Sequence, residues 1–301
     1  MKKFTLPAAC LAGLLIISFG SCKKLTPARQ GTSTTIVNVN PKIATTVCNY
    51  DFDEATLTSN GWTKTFDDEF TGDLSNWFAY TGGVQNEEEL NQPANAVIAN
   101  GVLQLTAKQE TVTGPASEAS ATPTAQFNYT SASLVSNQTF VANATTPKVR
   151  IVARVKMAAG YGLTSLFYSY GASPWPTNGQ INFFQVAGND LGEFSTNYFY
   201  GTTAKENLVN GGILYTHSDA DLSACWHVFM TEWTQSSINY YLDGQLVETK
   251  TAGGYVPSLF GKPQNLSLSL PIGGLYYSNL VPANIQVGSM SVDYVKVFTS
   301  K

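Results

Sequence analysis

The chain has 301 residues, 13% of them charged, and a formal net charge of −4. So few basic groups exclude a nucleic-acid partner, whose phosphate backbone demands a positive surface. The 15 Tyr and 5 Trp allow a carbohydrate partner, because such rings stack on sugars while their polar tips hydrogen-bond, but the same residues also fill ordinary cores.

Met1-Lys2-Lys3 makes a positive start, Leu6 to Phe19 is mostly apolar and short for a bilayer span, and Gly20-Ser21 leads into Cys22. This order predicts a secretory signal peptide over residues 1–21 rather than a membrane-spanning helix. A cysteine directly after small residues also resembles a bacterial lipobox. It makes Cys22 the candidate lipidation site, and the chain an exported lipoprotein that touches the membrane through its lipid alone. Phe19 stands where Leu is commoner, and an ordinary leader with an incidental cysteine is the alternative. Residues 22–48 are expected to be a tether, polar, Thr-rich and without a sustained period up to about residue 45. Cys10 leaves with the leader. Cys48 and Cys225 then remain, as two free thiols or as one disulfide, which an oxidising compartment permits.

Residues 49–301 read as one all-β domain. Val102 to Ala107, Lys148 to Met157, Ser236 to Leu242 and Leu266 to Leu270 alternate apolar with polar side chains. Asn100-Gly101 and Asp243-Gly244 sit between such runs and predict tight hairpins, whose central residues both need φ > 0. Glu110 to Ala125, rich in Thr, Ala, Ser, Gly and Pro, reads as a long surface loop. Helical periodicity is nearly absent, with at most one short turn at 221–225. Many short strands in a chain of this length predict a large sandwich of two curved antiparallel sheets.

The most informative stretch runs from Trp175-Pro176 through Gly179 to Gln180-Ile181-Asn182-Phe183-Phe184-Gln185. In a strand Gln180 and Asn182 share one face and Ile181 lies on the other. Gln185 is one residue out of phase, and a bulge at Phe183-Phe184 would return it to the face of the other two amides. Amides suit neutral sugar hydroxyls, since each offers donors and acceptors.

Here the sequence resembles glycoside hydrolase family 16, whose signature Glu-x-Asp-x-x-Glu commonly follows Trp-Pro and a Gly. The resemblance covers about residues 60 to 299. It includes Phe66 to Phe70 as an opening strand, Asn100 to Leu103 as an early hairpin, Trp226 to Gly244 as a central hairpin, and Met290 to Val297 as a closing strand. It implies a concanavalin A-like jelly roll. It also implies that Gln180 stands at the nucleophile, Asn182 at the assisting aspartate and Gln185 at the acid/base position. Retaining hydrolysis needs two carboxyl groups about 5 Å apart, and an amide neither attacks an anomeric carbon well nor releases a proton near neutral pH. The expectation is therefore a pseudoenzyme with no catalytic residues that binds a polysaccharide or oligosaccharide. Gln180, Asn182 and Gln185 would contact sugar, Trp175 would stack on it, and Tyr170, Tyr198 and Tyr200 would line the site.

Other family positions have drifted: Thr164 to Tyr168 replaces a Trp-containing run, Phe199 precedes Tyr200-Gly201, and Val152 stands at a common Glu. Asp190, Glu193, Asp219 and Asp221 are the acids through which a rescued hydrolase would have to work, and an envelope interaction scaffold without glycan is a third reading. Trp226, Trp233, His217 and His227 are expected to be structural. The resemblance requires no cofactor, but implies a structural Ca²⁺ on Glu69, Gly101 and Asp293, whose hard oxygens suit that ion.

Overall fold

The structure is a computed structural model that describes residues 43–117, 120–210 and 214–301. The leader, Cys22 and the first part of the tether lie outside the described residues.

Two sheets face each other. The first runs, edge to edge, through Ile43–Ala44, Leu214–Ser218, Glu193–Tyr200, Gln180–Ala187, Thr164–Gly171, Gln264–Ser269, Ser133–Phe140 and Trp77–Ala79. The second is built around Lys148–Lys156, with His227–Trp233 on one side and the closing strand Gly288–Ser300 on the other. The alternation in the sequence is what joins them: Ile181, Phe184 and Val186 from the first sheet and Ile151, Ala153 and Val155 from the second are all buried in one core. Phe184 meets Phe229 of the second sheet at 4.6 Å between ring centroids, and Phe194 meets the same ring edge-on at 5.2 Å. Both predicted tight turns are present. Asn100 and Gly101 have φ of 55° and 74°, Asp243 and Gly244 of 47° and 78°. Ala99 pairs with Val102 and Leu242 with Gln245 across them.

Three expectations need correction. The segment read as a surface loop is a long hairpin, Val102–Ser117 against Ser120–Ser131, with irregular register near Pro115. Its Thr residues are good strand formers, and Gly114 is needed there because a Cβ would lie 2.6 Å from Leu90. The tether ends earlier than residue 48. Ile43–Ala44 pairs in parallel with His217 and Ser218, and Cys48 is bonded to Cys225 with Cα atoms 5.5 Å apart. Downstream, a helix at Glu54–Ser59 escaped the sequence reading. Asp53 caps it, accepting from the Thr56 N–H at 2.9 Å. Leu57 on this helix joins Trp62, Val152, Val228, Tyr294 and Phe298 in a second, smaller core on the outer face of the second sheet. Trp233 is buried as expected, whereas Trp226 is half-buried with Lys156 4.7 Å over its ring.

The implied calcium ligands do not fit a calcium ion. The Glu69 carboxylate accepts from the Lys296 ammonium at 2.9 Å, and that ammonium also reaches Glu54 at 3.1 Å. Asp293 is held by the Arg154 guanidinium at 2.6 Å. Protein cations already occupy both carboxylates, and among the described residues no group of three or more acids, His or Cys is gathered for a metal. Gly101 serves the tight turn. Millimolar Ca²⁺ or a chelator should therefore leave the melting midpoint within about 1 °C, since an ion that does not bind cannot stabilise. Lys296→Met removes the cation from Glu69 and leaves Lys64 alone to pair Glu54 and Asp67, and should cost about 1–2 kcal/mol, read by urea unfolding.

Candidate functional site

Strand register assembles the site. Gln180, Asn182 and Gln185 pair with Tyr170, Tyr168 and Leu166 on one side, and with Phe199, Asn197 and Ser195 on the other. Each set steps by two along its strand except across the break in register between Asn182 and Gln185, where an extra residue is inserted. The bulge thus puts all three amides on the outer face of the first sheet. The inserted Phe183 turns inward, where its ring packs 4.8 Å from Phe167. On the next strand Asn265, Ser267 and Ser269 continue the same rows.

Over this face lies a cleft of about 420 Å³ lined by aromatic rings. Phe78, Tyr80, Tyr168, Tyr170 and Trp175 line it, together with Gln180. Trp175 is 41% exposed and Phe78 59%, so both present ring faces that a sugar can cover. A relay of hydrogen bonds holds Gln180 and Asn182 in place. The Trp175 indole N–H donates to Gln180 Oε1 at 2.8 Å, and Gln180 Nε2 donates to Asn182 Oδ1 at 2.6 Å. Asn182 is almost fully buried, while Gln180 and Gln185 are half-buried. Opposite Asn182, Asn197 keeps an Nδ2 donor with no partner among the described residues, and the Ser267 hydroxyl beside Tyr168 is likewise unpartnered among them. These are unspent hydrogen-bonding positions beneath a ring-lined cleft.

Two residues expected to line the site are elsewhere. Tyr198 pairs with Ile181, faces the core, and is tied down by accepting from the Tyr255 N–H at 2.8 Å. Tyr200 packs against that core, 5.6 Å from the Tyr255 ring and beneath Lys262. Strand parity gives the reason: Phe199, one residue between them, is the aromatic on the cleft face, 5.8 Å from Trp175. Phe78, Tyr80 and Tyr168 were missed, because only pairing across the sheet brings them beside Trp175.

Glu193 is the one carboxylate in the described strands of this sheet, and two-residue periodicity puts it in the row beyond Ser195. Its carboxylate lies 3.2 Å from His217. Burial pushes the Glu193 carboxyl up, the His217 imidazole pulls it back, and Asp190 adds to the rise. Asp219 and Asp221 line a separate shallow hollow near residues 188–192.

A larger hollow of about 840 Å³ lies under the long hairpin and is polar, with Glu87, Glu88 and Glu110 on its walls. Beside it Glu89 is fully buried, accepts from the Ile272 N–H at 2.9 Å, and shares a hydrogen bond with Glu87. Burial, then the neighbouring Glu87 charge, pushes the Glu89 carboxyl well above the usual carboxylate range; burial raises Glu87 as well. A carboxyl raised on folding stabilises fully below its unfolded pKa, about 4.3, and that contribution is lost as pH rises through the folded value. Unfolding in urea should therefore need more denaturant at pH 5 than at pH 8, and Glu89→Gln should flatten that slope. Glu89→Ala instead orphans the Ile272 N–H and should cost about 1–3 kcal/mol at either pH.

A sequence model of glycosyl hydrolases family 16 matches residues 85–296. Glucan endo-1,3-beta-glucosidase A1 of Niallia circulans is 24% identical over 164 residues, which are 50% of this chain and 24% of that protein. This chain thus spans about a quarter of that relative's length. Among solved structures, endo-beta-1,3-glucanase from Pyrococcus furiosus superposes with a TM-score of 0.67 at 24% identity, covering 80% of this chain and 95% of the other. A LamA from Z. galactanivorans, solved with laminaritriose and laminaritetraose, gives a TM-score of 0.64 at 22% identity, covering 78% and 98%. The two-sheet jelly roll carries the cleft on one outer face, and the family match extends over more than two thirds of the chain; the chain belongs to glycosyl hydrolase family 16.

Proposed function

We propose that this chain is a non-catalytic polysaccharide-binding lipoprotein, exported behind the leader 1–21 and anchored through Cys22. The observation that carries the binding reading is the aromatic cleft with Gln180 in its lining, from which Asn182 and Gln185 continue the amide row along the same sheet face. Where the resemblance calls for two carboxyl groups and an assisting aspartate, three amides keep the shape and the hydrogen-bonding capacity without charge or transferable proton. Neutral β-glucans are the first candidates, because the similar LamA was solved with laminarin-type oligosaccharides and the cleft lining is ring-rich and uncharged. The deciding experiment is electrophoresis of residues 23–301 through gels containing laminarin, lichenan, agarose or carrageenan, with new reducing ends assayed on the same samples. Retardation without cleavage is the expected result. Cleavage overturns the reading, and neither effect moves weight to an envelope scaffold. For the anchor, Cys22→Ser should move the full chain from the detergent phase to the aqueous phase.

A second reading has one observation in its favour. Glu193 lies on the face that carries the amides, and its carboxyl is raised by burial as a proton donor's would be. A family 16 endo-glycosidase working through it would release reducing ends that Glu193→Gln abolishes. Against this, retaining hydrolysis needs a second carboxyl about 5 Å away, and Glu193 is the only acid in the described strands of that sheet.

A further inference from the structure

On the second sheet, not the one that carries the cleft, a cysteine, a histidine and an aspartate form a line where the N-terminal segment meets it. Cys225 Sγ lies 3.6 Å from His227 Nε2, and His227 Nδ1 lies 2.8 Å from Asp243 Oδ2. The His227 and Asp243 side chains are 0% exposed. The Asp-Gly turn fixes the aspartate, which also accepts from the Val228 N–H at 2.8 Å and the Val47 N–H at 3.1 Å. That last bond holds the segment bearing Cys48 against the same carboxylate. Of the two sulfurs in the bridge, Cys48 belongs to an exposed residue and Cys225 to a buried one beside the imidazole. Asp219, bonded to Thr46, is a further charge that acts on His227.

A bridge that only cross-links the fold needs no imidazole at one sulfur and no buried carboxylate behind it. We propose that Cys48–Cys225 is a directional thiol–disulfide exchange site, taking a low-molecular-weight or protein thiol at Cys48 and expelling Cys225 toward His227. The incoming thiolate attacks Cys48 Sγ along the exposed side. Its sulfur forms the new S–S bond, the Cys48–Cys225 bond breaks, and the electron pair goes to Cys225 Sγ. The proton that the departing Cys225 sulfur takes up is passed from solvent through the His227 imidazole, whose Nε2 faces that sulfur while Nδ1 stays against Asp243. A cation or acid beside a leaving sulfur speeds such exchange, because the better-stabilised thiolate departs faster. The products are a mixed disulfide on Cys48 and a free thiol on Cys225. The Val47–Asp243 bond keeps the two close, so return attack by Cys225 on Cys48 expels the thiol and restores the bridge.

The test is to incubate the folded chain with reduced glutathione, quench with acid, alkylate in urea and map both cysteines by mass spectrometry. Glutathione is expected on Cys48 and the alkyl group on Cys225, at least about tenfold over the reverse arrangement, with His227→Gln about tenfold slower. Loosened packing in His227→Gln would instead speed the reaction by opening the fold, so the sign of the change separates the two causes. Glutathione on Cys225, an equal or faster rate in a His227→Gln chain whose unfolding midpoint in urea matches the parent's, or reaction of the parent chain only at urea concentrations that unfold it would each overturn the proposal. The regiochemistry is read on the unmutated chain and stands even if the variant does not fold.

Discussion

Replacing Gln180 with Glu, Asn182 with Asp and Gln185 with Glu in one chain is expected to raise glycan hydrolysis above the parent's background and to destabilise the fold. Three acids would stand in neighbouring rows of one strand, with the middle position almost fully buried and the outer two half-buried. Like-charge repulsion and lost hydration both oppose ionisation there. The cost should be about 2–4 kcal/mol at pH 8, or a melting midpoint lower by about 5–10 °C. Each new carboxyl is raised on folding, so the loss should fade as pH falls toward the unfolded carboxylate range. If the cleft has kept the geometry that two carboxyl groups require, the variant releases reducing ends from laminarin at about 10² times the parent's background or more, the lower end of general acid–base assistance. A correctly folded triple variant that releases none would mean that the Tyr168 and Phe199 replacements have reshaped the cleft beyond catalysis. The stability change is read independently by calorimetry, so a dead variant still tests the electrostatic half of the argument.

Trp175→Ala should weaken glycan binding about 10–100-fold, which corresponds to about 1.5–3 kcal/mol for an exposed tryptophan at the centre of a contact. The ring is 41% exposed, so its truncation should change folding stability by no more than about 0.5 kcal/mol. The indole does two things: it offers a face to the cleft, and its N–H fixes Gln180 Oε1 at 2.8 Å. Trp175→Phe keeps the face and removes the N–H, and should lose about 3–10-fold. Tyr198→Phe distinguishes cleft from core. It deletes the hydroxyl that accepts from the Tyr255 N–H, so it should lower stability by about 1 kcal/mol and leave affinity unchanged. Calorimetric titration with a laminarin oligosaccharide reads all three. Equal affinities for Trp175→Ala and the parent would remove the cleft from the binding reading.

Parity and punctuation were the legible part of the fold. Alternation named the strands, and the Asn-Gly and Asp-Gly pairs named their turns, because only a few residues tolerate positive φ at two successive positions. The phase slip at Gln185 even disclosed the bulge. Where parity was not followed through, the reading failed. Tyr198 and Tyr200 share the phase that faces the core side, while Phe199 is the residue whose phase points to the cleft. The long hairpin was hidden because Gly, Pro and Ser in Glu110 to Ala125 signal turns locally, yet its strands are held by each other and by Leu90 against Gly114.

By itself the sequence determined the all-β class, the family resemblance and the three amides on one strand face, because each follows from residue type and spacing along the chain. Tertiary structure alone decided which rings meet over those amides, that Cys48 reaches Cys225, and that Lys296 and Arg154 claim the carboxylates expected to hold calcium. Those contacts join strands and segments up to 227 residues apart, as between Glu69 and Lys296. Sheet order and register set such distances, and no local periodicity encodes them.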